Sequence, residues 1–166
     1  MSTIDDPTTR PRPNLALGVL PFIGVILFVA TSAPILLGDR TGNWQRDLVQ
    51  NGVVYMIGWA GIGAGISHLA FGKKISASIG WAPSPFELEV GFANLGMGIA
   101  GVMSGGQPAS FWLAVIVVNS IFRVGCGFGH VRQIVANRDF APNNTAILFL
   151  NFVVPAFLLL SYAAWI

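Results

Sequence analysis

Five stretches of about bilayer length carry very little charge, and nothing else in this chain constrains its fold so strongly. They run from about 15 to 37, 48 to 71, 86 to 103, 109 to 134 and 145 to 165. A hydrocarbon core of ~30 Å needs ~20 apolar residues in a helix. Within lipid, only a helix or a closed barrel supplies every backbone group with a partner. Of the 166 residues, 54% are hydrophobic and 10% charged, against roughly 25% charged in a soluble domain. The sequence therefore predicts an all-α fold. A polar N-terminal tail, residues 1–13, leads into a single transmembrane domain, residues 14–166, a polytopic bundle of five helices. The third span is the shortest and has Glu87 and Glu89 in its first turn.

Five spans put the N-terminus on one side with the second and fourth loops. That side holds Arg10, Arg12, Lys73, Lys74, Arg132 and Arg138, and the other holds Arg40 and Arg46. The positive-inside rule then places the N-terminus in the cytoplasm and the C-terminus outside, in the cell (inner) membrane. Trp44, Trp112 and Trp165 are expected at the outer interface and Trp81 at the inner one. Residues 72–85, with Lys73 and Lys74 leading, read as a short cytoplasmic-side interfacial helix and a Pro-broken entry to the third span. The start of the chain is polar and shows no signal peptide. Cys126 is the only cysteine, so no intrachain disulfide forms. The net charge of +2 comes from bases too scattered for a phosphate-binding patch, which argues against a nucleic-acid partner.

The residues that could carry chemistry lie inside the spans. Arg123 sits near the middle of the fourth, with Asn119 one turn before it and Cys126 and His130 one and two turns after, on one helix face. A charge at that depth costs at least ~2.5–3.5 kcal/mol and normally faces protein or water. Gly61, Ala64, Gly65 and His68 share a face of the second span, and Glu87, Gly91, Asn94, Gly98 and Gly101 share one of the third. The Gly61/Gly65, Gly101/Gly105 and Gly125/Gly129 pairs have the spacing that lets helices approach closely in lipid. His68, Glu87, Glu89 and His130 are expected at one membrane level, with Arg123 about 10 Å deeper at ~1.5 Å per residue.

That cluster admits several readings. A carboxylate could pair with Arg123 or a histidine as a buried structural pair. His68, Glu89, Asn94, Asn119, Arg123 and His130 could form a site for a proton, ion or small ligand. His68, Glu89 and His130 could ligate a metal ion as a cofactor, with zinc or iron as the candidates. The histidines as haem ligands are a further alternative. Helix phase leaves Glu87 and Glu89 both open, and either is also an ordinary carboxylate at a helix N-terminus. Asp139, Asn143 and Asn144 read as solvated loop, with Asn143–Thr145 as caps for the fifth span. Signatures of soluble enzymes, such as a phosphate-binding glycine loop after a strand, CxxC, GxSxG or HExxH, do not occur.

The stretch GISHLAFGKKISASIGWAPSPFELEVGFANLGMGIAGVMS, followed by RVGCGFGHVRQI and APNNT, resembles an uncharacterised family of small bacterial polytopic membrane proteins. The likeness covers about residues 58–157 and leaves out the first span. It rests on the His68 segment, the Gly80-Trp81 turn with Ser84-Pro85-Phe86, Glu89 and the Gly129-His130 pair. The resemblance implies that these positions form one module, favours Glu89 over Glu87, and supplies no activity. The sequence thus points to a small integral membrane protein with a polar His/Glu/Arg site between spans two, three and four, binding or passing a small ligand or ion as a homo-oligomer. The alternatives are an accessory subunit of a larger membrane complex, with glycine faces docking partner helices, and a metal-dependent membrane enzyme. The pattern leans away from an enzyme.

Overall fold

The structure is a computed structural model that describes residues 22–38, 40 and 42–166. The expected polar tail, with Arg10 and Arg12, and the start of the first span lie outside the described residues. The described residues form five helices and no strand. They are α1 (Ile23–Leu37), α2 (Trp44–Ser78), α3 (Phe86–Met103), α4 (Ala109–Asn137) and α5 (Pro142–Trp165). All five fall on the five apolar runs. Of these, α2, α4 and α5 are long and apolar enough to cross a membrane, which is the makeup of a membrane protein. At 18 residues, α3 would reach about 27 Å at 1.5 Å per residue. Large apolar side chains such as Ile121, Phe128, Phe149 and Leu160 point away from the bundle, as a lipid-facing surface requires.

Helix α2 is the hub and packs against the other four. It has 35 residues and is not uniform. A π-helical stretch, Gly52–Trp59, lies between α-helical Trp44–Asn51 and Ala60–Ser78. Near its far end Phe71 leaves helical geometry (φ −136°, ψ 24°). The separate interfacial helix expected after Gly72 is therefore the kinked tail of α2.

That tail ends at Gly80, whose φ of +81° suits glycine alone at no strain. Gly80 N–H donates to Ala77 O and Trp81 N–H to Ser76 O (2.8 Å), the paired bonds of a Schellman stop. The next helix starts six residues later, at Phe86, on a capping box. Glu87 Oε1 accepts from Ser84 N–H at 3.0 Å, and Ser84 Oγ accepts from Phe86 N–H.

Glycine brings α2 and α3 together. A Cβ on Gly61 would meet Gly98 Cα at 2.8 Å and Asn94 O at 2.9 Å, and one on Gly98 would strike the backbone of Ile62, Gly61 and Gly58. Gly58 and Gly101 repeat the arrangement one turn on. The predicted glycine faces of the second and third spans thus meet each other. The Gly125/Gly129 pair does not join them. Gly125 faces open space, and Gly127 instead lies against Phe152 and Asn151 of α5.

The end of the bundle where α2 starts is closed by aromatics. Trp112 is 1% exposed, donates from Nε1 to Ser104 O at 2.8 Å and lies 5.3 Å from the Trp165 ring. It belongs to the core rather than to the aromatic belt the sequence suggested, because the α3–α4 turn offers a carbonyl for its indole. Tyr162 hydroxyl donates to Ala109 O, tying α5 to the start of α4.

Candidate functional site

Arg123 lies where its depth in α4 predicted, facing α2. Its Nε donates to Asn119 Oδ1 at 3.0 Å, and its Nη2 to the backbone oxygen of Met56 at 3.1 Å. Met56 is in the π-helical stretch. A helix that shifts from i→i−4 to i→i−5 bonding changes which carbonyls are engaged, and such distortions recur at functional sites. Here the distorted turn presents an acceptor to a guanidinium. The carboxylate partner that one reading expected is missing among the described residues. The only ion pair there is the exposed Arg46–Asp47 pair. Asn119, 4% exposed, also reaches toward Met97 Sδ of α3 at 3.8 Å. Arg123 therefore stands at the junction of α2, α3 and α4 as a cation held by neutral acceptors, and it retains some exposed surface. Asn94, expected at the site, bonds only to Val90 O of its own helix.

The histidine level divides into two networks. In the first, Glu87 of α3 accepts from Ser76 Oγ (2.5 Å) and Ser84 N–H, and its side chain covers Gly72. His68 Nδ1 is buried with no hydrogen-bond partner among the described residues. Glu89, which the resemblance favoured, is exposed. Two positions along a helix is a 200° rotation, so Glu87 and Glu89 take opposite sides and Glu87 takes the inner one.

In the second network Asn144 is fully buried. Its Oδ1 accepts from Trp81 Nε1 at 3.2 Å and lies 2.6 Å from His130 Nδ1, and its Nδ2 donates to Asp139 O at 2.9 Å. An indole N–H only donates and a carbonyl only accepts. These two neighbours fix the orientation of the amide, so His130 Nδ1 carries the proton and Nε2 is the basic atom of the neutral ring. The Trp81 and His130 rings are 4.9 Å apart. Asp139 Oδ1 accepts from Ala141 N–H at the entry to α5, while Oδ2 is buried without a partner. The Asp139 carboxyl packs on Gly80, where a Cβ would meet it at 2.6 Å.

This clasp was not legible in the residues themselves. Asn144 reads as a cap and Asp139 as solvated loop, yet α5 begins at Pro142 and turns Asn144 inward. The one available signal was the Gly80-Trp81 pair, since a helix-stopping glycine fixes the exit of the residue after it. No group of three or more His, Cys, Asp or Glu side chains that could hold a metal ion occurs among the described residues. His68, Glu89 and His130 are thus not assembled as a ligand set: Glu89 is exposed, and His68 and His130 belong to separate networks.

Residues 14–165 match the family of unknown function DUF6790, and the chain belongs to it. The match takes in the first span, which the resemblance over residues 58–157 had left out. No curated protein and no solved structure matches the chain.

Proposed function

We propose, for this member of a family of unknown function, that it is a small integral membrane protein holding a small anionic ligand or ion at Arg123, where α2, α3 and α4 meet. The observation that supports this reading is a guanidinium at the middle of α4 bonded only to neutral acceptors among the described residues, Met56 O and Asn119 Oδ1. A guanidinium has five N–H donors in a planar fork. Two are accounted for. A carboxylate or small oxyanion would take a bidentate pair of bonds and neutralise a charge that is costly to leave alone in low dielectric. In this reading the N-terminus and the Lys73, Lys74, Arg132 and Arg138 end face the cytoplasm of the inner membrane, following the charge bias. His68, Glu87 and the Trp81–His130–Asn144 clasp hold that end together and do not form the ligand site.

The test is thermal unfolding of the purified protein in acetate, chloride and phosphate at constant ionic strength, beside Arg123→Met. A ligand present at 100 times its Kd adds about 2.7 kcal/mol. The expected result is stabilisation of the wild type by at least one of these anions and none of Arg123→Met. Identical responses of the two proteins to all three anions would refute the reading.

A further inference from the structure

Between α3 and α4 runs an open groove of about 320 Å³, lined by Met97, Ala100, Phe111, Ala114, Val115 and Val118, with Gly96 at its edge. Its wall is almost wholly apolar. It follows α4 from Phe111 to Val118, about 10 Å at 1.5 Å per residue. One more residue along α4 is Asn119, whose amide reaches Met97 on the groove's other wall and whose oxygen holds Arg123. The groove is thus an apolar channel, open at its side, whose inner end at Met97 and Val118 is separated from Arg123 by the Asn119–Met97 contact. Gly96 keeps its edge open, for a Cβ there would meet nothing within 4 Å.

We infer that the ligand of this protein is a lipophilic carboxylate of medium chain length, its chain in the α3–α4 groove and its carboxylate on Arg123. The inference rests on the anion reading above and adds the class of molecule. Charge complementarity sets the head: Arg123 has donors left, and the Asn119 amide beside it contributes another. Shape sets the tail: the groove is apolar and, at about 10 Å along α4, about as long as a medium acyl chain. Access sets the route, since the molecule enters sideways from the bilayer by parting the weak Asn119–Met97 contact at 3.8 Å.

The experiment is photolabelling of the full chain in nanodiscs with a diazirine-bearing ten-carbon fatty acid and, separately, its methyl ester. Labelled residues are mapped by mass spectrometry. The acid is expected to label the groove residues of α3 and α4 at least tenfold more than the ester. Excess decanoate should compete it away, and both Arg123→Met and Gly96→Leu should remove it. Gly96→Leu fills the groove from a position with free space around it, so it tests occupancy without disturbing Arg123. Equal labelling by acid and ester, or labelling unchanged in Gly96→Leu, overturns the inference. The acetate response of the wild type, measured alongside, separates the two claims. Acetate stabilisation without selective acid labelling removes the groove and leaves the anion site. Neither response removes both.

Discussion

Gly98→Ala is the most direct probe of how this bundle is held together. The added methyl would sit 2.8 Å from Gly61 C and 2.9 Å from Gly58 O, closer still to Ile62 N. All three are backbone atoms of α2, so no side-chain rotation relieves the clash and the two helices must separate. Overpacking of this kind costs typically about 1–3 kcal/mol. Alanine gains up to about 1 kcal/mol over glycine in a helix, which offsets part of that cost. Gly96→Ala, half a turn away on the same helix, supplies the control. It earns the same propensity gain, and its Cβ meets nothing within 4 Å. The pair isolates the clash, and the two variants should differ by the full overpacking term, about 1–3 kcal/mol. At roughly 2–4 °C per kcal/mol for a chain of this size, Gly98→Ala should unfold about 2–12 °C below Gly96→Ala in the same detergent, followed by helical circular dichroism. Equal midpoints for the two variants would show that the α2–α3 contact is not set by glycine.

Other expectations follow from the same contacts. Asn144→Ala leaves the Trp81 and His130 N–H groups without an acceptor in a buried place, at about 1–3 kcal/mol each. Thermal unfolding should show a loss well beyond that of Trp81→Phe, which gives up one bond and leaves the His130–Asn144 bond intact. Glu87→Ala removes the acceptor of Ser84 N–H and Ser76 Oγ and should cost about 0.5–2 kcal/mol as a lost cap, whereas Glu89→Ala at an exposed position should stay within about 0.5 kcal/mol. The inverse ranking in denaturation midpoints would reverse the assignment of the inner carboxylate. Because His68 and His130 belong to separate networks, the stability effects of His68→Ala and His130→Ala should add to within about 0.5 kcal/mol. A larger coupling in the double mutant would restore a single histidine site.

Much of the architecture was present in the order of the residues. Apolar runs of bilayer length define five helices, because each run must cover its own backbone and bury or expose a whole apolar surface. The glycine periodicity on the second and third spans marked the faces that meet, and Asn119 one turn before Arg123 put the two on one helix face. Local sequence contains this information because it depends on spacing along one helix. It does not contain what several segments decide jointly. Whether Glu87 or Glu89 turned inward depended on how a Schellman stop and a capping box aimed α3 against the tail of α2. Asn144 became a buried hub only because Gly80 delivered Trp81, and α4 delivered His130, to the same point. Arg123 found a backbone carbonyl where sequence reasoning supplied only carboxylates, because the π-helical turn of α2 offers Met56 O, and a carbonyl's availability is a property of helix geometry that no side-chain pattern announces.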